Sequence, residues 1–198
     1  MTKYDAIMQL LKDKKMIRSK DVEAFGIPRE YLLRMYRKGL VTRTGRGVYC
    51  LPGEDFKGYD SIVDAMMVAP GGVVCMISAL SFHGITTQVS EKVWIAVKKG
   101  SWYPKSDYVN IKYFTFSEKN YKFGIEIHKI NNVEIRVYSI AKTVADCFKF
   151  RNKIGFDVAI EALKEAIKSK KAGVNEIYEA AKVCRISKVI QPYMESIV

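Results

Sequence analysis

Asp107, Glu126 and Lys129 are the residues of this 198-residue chain whose types suit a phosphodiester-cleaving centre. Such centres need acids that converge on Mg²⁺ with a lysine alongside. The spacing argues against it. Glu126 and Lys129 stand as E-x-x-K, where such centres use E-x-K, and three residues apart on a strand means opposite faces. A nuclease-like enzyme targeted to DNA is therefore kept as the alternative reading. "APGGVV" has two glycines but lacks the Lys-Ser/Thr that grips phosphate, and no G-x-S-x-G elbow occurs. His83 ends an apolar stretch and reads as a structural histidine or a helix C-terminal donor, and His128 alternates onto an exposed strand face. Cys50, Cys75, Cys147 and Cys184 lack metal-ligand spacing and read as reduced core thiols of a cytoplasmic protein. The residues call for no metal, no cofactor and no catalytic site.

Charge is the stronger signal. The formal charge is +12, and residues 1–53 hold twelve lysines and arginines against five acids, a net +7 in about a quarter of the chain. A polyanionic partner follows, with the N-terminal quarter as its site. Within "GLVTRTGRGVYCLPG", residues 39–53, arginines flank the tip of a glycine-rich ribbon, where glycine leaves room for a close approach to phosphates. Arg29, Arg34 and Arg37 are the candidates for groove contacts, Arg34 as the base reader because its fork suits guanine. Lys38, Arg43 and Arg46 are the candidates for phosphates. Taken one at a time, each of these reads as a solvated surface charge; taken together with the order of the segments and the ribbon arginines, they read as a DNA-binding surface.

The elements that must position them are legible. Ile7, Leu10 and Leu11 form one face of an amphipathic helix. Ser19 is the expected N-cap of a second helix, with Val22 and Phe25 inward and Gly26 as its stop. Pro28 opens a third helix that closes at Gly39, with Leu32, Met35 and Tyr36 as its buried stripe. A strand at 40–43, a turn at 44–47 and a return at 48–51 complete a winged helix-turn-helix over residues 1–53.

Residues 54–198 read as a second unit, α+β in class, with a small antiparallel sheet and several helices. "PGEDFKGYDS" is the linker, and residues 60–198 are expected to fold separately. Helices are expected from about 60 to 68 and 75 to 83. In "KVWIAVKKG", Val93, Ile95 and Val97 share one strand face, and Trp94 and Ala96 the other. "DYVNIKYFTF" is a further strand, and "GIEIHKINNVEIRVYS" is a hairpin turning at Asn131-Asn132. Ser139 caps a helix, and three more follow, the last kinked or shortened by Pro192. The aromatic run at 101–123, interleaved with lysines, reads as a core face, a partner surface or a base-stacking surface. If it is a partner surface, the chain is a protein-binding module whose basic N-terminus is incidental. No apolar run suits a membrane span, and "MTKYDAIMQLLKDKK" is no signal peptide.

Three stretches carry a family resemblance: "SKDVEAFGIPREYLLRMYRKGLVTRTGRGVYCLPG", "ISALSFHGITTQVSEKVWIAV" and "IRVYSIAKTVADCFKF". Their order across the chain resembles the AbiEi family, antitoxins of type IV toxin–antitoxin systems also described as transcriptional regulators of viral defence. The strongest elements are Gly47-Val48-Tyr49, Ser78-Ala79-Leu80 with His83-Gly84, and Lys142-Thr143-Val144-Ala145-Asp146-Cys147. Lys142 departs from the arginine that family members often carry there. The resemblance implies an N-terminal winged helix that binds inverted repeats of double-stranded DNA in its own promoter and represses its operon. It implies antitoxin activity in the C-terminal part against an AbiEii-type nucleotidyltransferase toxin, with no stable complex required, no cofactor and no enzymatic site. By resemblance alone, Lys142, Thr143 and Asp146 are antitoxin candidates. From their own residue types they read as a capped first turn and a solvated helix face.

Overall fold

Thr2 starts the first helix through a reciprocal capping box, its hydroxyl accepting the Asp5 N–H while the Asp5 carboxylate accepts the Thr2 N–H. The computed structural model describes residues 2–45, 47–53, 60–106, 109–130 and 133–197. Helix α1 (Lys3–Lys14) buries Ile7 and Leu11. It leads into strand β1 (Met16–Arg18), helix α2 (Ser19–Glu23), helix α3 (Glu30–Arg37), strand β2 (Thr42–Gly45) and strand β3 (Val48–Cys50). The sheet order is β1-β3-β2, all antiparallel, with the pairing shifted between Arg43 and Gly45. Helix, strand, helix, helix and ribbon is the winged-helix order. Ile7, Leu11, Ile17, Val22, Ile27, Leu32, Met35, Val41 and Tyr49 make its core.

Several local expectations shift here. Ser19 is the first helical residue of α2, and Arg18 stands at the cap, its N–H donating to Asp21 Oδ2 at 2.7 Å. Pro28 lies ahead of α3, its carbonyl accepting the Tyr31 N–H in an opening turn. Phe25 is 62% exposed, because α2 ends at Glu23 and the turn at Gly26 breaks the periodicity that would carry it inward. Tyr36 is 43% exposed and leans edge-on against Tyr49, while Leu32 and Met35 alone fill the inward stripe of α3.

Beyond residue 60 come helix α4 (Asp60–Val68), strand β4 (Val73–Val74), helix α5 (Met76–Phe82), strand β5 (Val93–Lys98), strand β6 (Ile111–Phe116), helix α6 (Glu118–Lys122), strand β7 (Ile125–Ile130) and strand β8 (Val133–Tyr138). Helices α7 (Ile140–Lys149), α8 (Arg151–Ile154), α9 (Phe156–Lys168), α10 (Val174–Cys184) and α11 (Ser187–Glu195) follow. The α+β class stands, but the antiparallel sheet is corrected. The five strands run β6-β5-β4-β8-β7 and are mixed: β4–β5 and β7–β8 are antiparallel, β4–β8 and β5–β6 parallel. The physical reason is the connection between β5 and β6. It is long enough to bring the chain back to the same end of the sheet, which a two-residue turn cannot do. The Asn131-Asn132 turn lies outside the described residues, although Ile130 pairs with Val133 on either side of it. Pro192 sits inside α11, which continues to Glu195 rather than ending early.

Strand β5 divides the interior. Val93, Ile95 and Val97 join α4 in one cluster, and Trp94 and Ala96 join α5, α7, α9 and α10 in the other. A strand buried on both faces belongs to the centre of a layered fold. Met16, Val48 and Cys50 of the winged unit belong to the first of these clusters, beside Ile62, Val63 and Met66. The two units therefore share buried surface, and a fragment beginning at residue 60 would expose it.

All four cysteines are buried thiols. Burial pushes the Cys184 thiol up to about 12, and those of Cys75 and Cys147 well above their ordinary value. An aromatic disulfide reagent is accordingly expected to find no fast thiol in the native protein and all four in denaturant. One fast thiol in the native state would contradict this packing.

Candidate nucleic-acid interface

Helix α3 ends in a Schellman arrangement. Gly39, at φ +69°, lets its N–H reach the Tyr36 carbonyl while the Leu40 N–H reaches that of Met35. With Leu32 and Met35 inward, Glu30, Leu33, Arg34 and Arg37 fall on the outward face at i, i+3, i+4 and i+7. Arg34 and Arg37 are exposed, and among the described residues neither is paired with a carboxylate. Arg29 sits 3.8 Å from Glu30, both side chains well exposed, an ion pair worth little in water.

Two rings organise the cations at one edge of this face. Tyr4 of α1 and Tyr31 of α3 meet edge to face at 5.7 Å. Arg34 lies over Tyr31 at 5.4 Å, Lys38 over Tyr4 at 5.4 Å, and Lys3 over Tyr31 at 5.1 Å. Each contact contributes about 0.5–1 kcal/mol at an exposed site and limits where the charge can wander. Lys3 is not legible in the sequence as part of this face. Its distance in sequence from α3 hides it, and only the packing of α1 on α3 brings it there. Leu33, at 38% exposed, adds apolar surface to the outward face, suited to thymine methyl contact.

The wing is tied to the helix pair. Ser19 N–H, at the start of α2, donates to the Gly47 carbonyl at 2.9 Å, and Gly47 takes φ +75° to turn the chain there. Arg43 is exposed on β2 opposite Tyr49. Arg46 lies outside the described residues. Arg34, Arg37 and Lys38 thus share one short segment, with Arg43 on the adjoining ribbon.

The residues singled out in the second unit have internal roles. Ser78 Oγ accepts the Trp94 N–H at 2.9 Å, and His83 Nε2 meets the Tyr138 carbonyl at 2.8 Å. Ser139 caps α7 as expected, accepting the Lys142 N–H. Lys142, Thr143 and Asp146 are not a solvated face. Each has no exposed surface, because α7 is packed on all sides and every residue from 142 to 148 is buried. Lys142 Nζ meets Asp146 Oδ2 at 2.5 Å and lies over the rings of Tyr138 (4.5 Å) and Phe116 (4.8 Å). Asp146 Oδ1 accepts from Cys184 Sγ at 3.3 Å, and Thr143 Oγ1 donates to the Tyr138 carbonyl at 3.2 Å. Burial pushes the Asp146 carboxyl up, and the Lys142 ammonium beside it opposes that rise.

Of the nuclease-like residues, Asp107 lies outside the described residues. Glu126 and Lys129 take opposite faces of β7, and Glu126 instead approaches His128 Nε2 at 3.4 Å. The described residues hold no group of three or more His, Cys, Asp or Glu placed to bind a metal. They also hold no helix long and apolar enough to cross a membrane. Tyr103 and Tyr113 of the aromatic run stack on each other at 5.4 Å, and Trp94 stacks on Phe114 at 5.0 Å with Lys112 over it at 4.0 Å.

Residues 5–52 match the model of a family described as "Transcriptional regulator, AbiEi antitoxin". That match spans nearly all of the winged unit. Nearly the whole chain shares a fold with the crystal structure of the RV2827C protein from Mycobacterium tuberculosis. The TM-score is 0.60 at 10% sequence identity, over 96% of this chain and 79% of that one. At that identity the likeness concerns fold alone. No curated protein matches the sequence.

Removing one member of the buried pair strands the other. Asp146→Ala is expected to cost about 3–5 kcal/mol in urea unfolding, with Lys142→Met/Asp146→Leu recovering a substantial part of it. Equal losses from the single and double variants would show that the pair itself is not what the core depends on.

Proposed function

We propose that this protein is a DNA-binding autoregulator and antitoxin of a type IV toxin–antitoxin system, without catalytic activity and acting in the cytoplasm. Residues 1–53 bind inverted repeats in the promoter of its own operon and repress it. Residues 54–198 carry the antitoxin function against an AbiEii-type nucleotidyltransferase, which need not be held in a stable complex. The observation that carries the DNA-binding part is the outward face of α3, where Arg34 and Arg37 stand exposed and unpaired with acids among the described residues. The family match over residues 5–52 supports the regulator and antitoxin assignment.

In this reading α3 enters the major groove. Arg34 reads a guanine edge, with Arg29 and Arg37 beside it. Lys38, Arg43 and Arg46 neutralise phosphates, and the ring-held Lys3 adds a further positive charge. The buried Lys142, Thr143 and Asp146 support the antitoxin part from within, because a partner cannot touch them in the folded chain.

Binding to a duplex carrying the upstream region, measured across salt concentrations, tests this. With about five phosphates neutralised, log K is expected to fall with a slope of roughly −4 to −5 against log salt. Arg34→Ala is expected to cost about 1–3 kcal/mol and relax specificity at one base pair. Lys38→Ala is expected to weaken all sequences alike and to reduce the slope by about 1. A flat salt response, or full affinity in an Arg34→Ala/Arg37→Ala variant, would refute the assignment.

A further inference from the structure

Strand β7 is one of the two edges of the five-stranded sheet, and the edges are treated differently. At β6, the segment just before the strand lies against it: Tyr103 stacks on Tyr113 and bonds Thr115 Oγ1 at 2.8 Å, and Tyr113 bonds the Pro104 carbonyl at 2.6 Å. At β7, no described residue beyond β8 bonds to the backbone of 125–130. Ile127, at its middle, is 66% exposed. A regular edge strand with an exposed aliphatic side chain is a template for another strand.

The direction of the unpaired groups can be worked out. The Ser139 N–H donates to the Gly124 carbonyl at 2.7 Å, so these two form a mutually facing pair, and the facing pairs continue at alternate positions. Glu126, His128 and Ile130 therefore turn their backbone groups toward β8. Ile125, Ile127 and Lys129 turn theirs outward, away from the sheet.

We infer that β7 joins two copies of this protein edge to edge, as an antiparallel pair about a two-fold axis through Ile127. The axis stands perpendicular to the joined sheet and keeps each side chain on its own face, so it must pass through a residue rather than between two. An axis through Glu126 would oppose two carboxylates. An axis through His128 would oppose two imidazoles and set Ile127 against Lys129. An axis through Ile127 sets Ile127 against itself and Glu126 against His128 of the second copy, on the face where the two already meet within one chain at 3.4 Å. It also matches all three outward-facing positions, Ile125 with Lys129, Ile127 with Ile127 and Lys129 with Ile125, giving about six inter-chain hydrogen bonds. The strand is self-complementary in backbone phase, in apolar contact and in polar pairing, as an isologous interface requires. The result is a continuous ten-stranded sheet.

Sedimentation velocity of the full chain over a concentration series is the primary test, and a reversible monomer–dimer equilibrium is expected. Ile127→Pro should abolish it. The Ile127 N–H points away from β8, so proline there removes no bond within the chain and blocks only the new pairing. Should that variant fail to fold, Ile127→Lys leaves the backbone intact and opposes two ammonium groups on the axis. It is expected to weaken the dimer by at least about tenfold. The register is read from single cysteines. Because the four native thiols are buried, Ile127→Cys should form a disulfide-linked dimer under mild oxidation, and His128→Cys should not. A wild-type chain that stays monomeric throughout, a dimer untouched by either substitution at 127, or preferential cross-linking of His128→Cys would each overturn the proposal.

Discussion

A charged pair sealed from water lies at the centre of the larger unit, and much of the packing around it follows from that. Lys142 and Asp146 have no exposed surface, and their desolvation is offset only if every neighbour contributes. The neighbours do so from three directions: the rings of Phe116 and Tyr138 from the sheet, the thiol of Cys184 from α10, and α7 itself, which spaces the pair one turn apart. Cys184 also approaches Asn120 Oδ1 at 3.3 Å, which links α6 to the same network. Even the turn into β7 is shaped by it. Gly124 takes φ +70°, and a Cβ there would come within 2.8 Å of Lys142 Cβ and 3.0 Å of Ser139 Oγ, so a residue without a side chain is required. The short stretch 138–147 is dense in such duties, and this explains how it can look like a functional motif while its Lys142, Thr143 and Asp146 touch no solvent.

What was legible in the sequence was local. Ile7 and Leu11 on α1, Leu32 and Met35 on α3, the two faces of β5, and the Ser139 cap all follow from periodicity and cap chemistry within a few residues. What was not legible needed a distant partner. Strand β1 is three residues and β4 is two, too short for any alternation, and each exists because another strand lies beside it. The parallel pairs of the sheet depend on how the chain returns, which no residue announces. Phe25 faces solvent because α2 stops at Glu23, and Tyr36, still within α3, lies at the edge of the stripe that Leu32 and Met35 fill. The burial of Lys142 had a faint signal. The segment 140–148 holds only two charged residues, Lys142 and Asp146, four apart, as suits a helix enclosed on every side.

The candidate interface shows the same division. The arginines of α3 and their outward direction could be read from the heptad-like spacing of 30, 33, 34 and 37. The tyrosine pair that gathers Lys3, Arg34 and Lys38 could not, because Tyr4 and Tyr31 are brought together by packing alone. A cation held against a ring is partly pre-positioned before any phosphate arrives, so less side-chain freedom remains to be lost on binding.

Met16, Val48 and Cys50 have a mechanical implication. They are sheet residues of the winged unit and, at the same time, wall residues of the cluster lined by α4 and β5. Sliding the ribbon across α4 would open voids in that cluster, and close-packed interiors resist this strongly. The winged unit is thus braced against the body instead of swinging from a tether, and the pitch of its outward face is fixed by side chains buried beneath it.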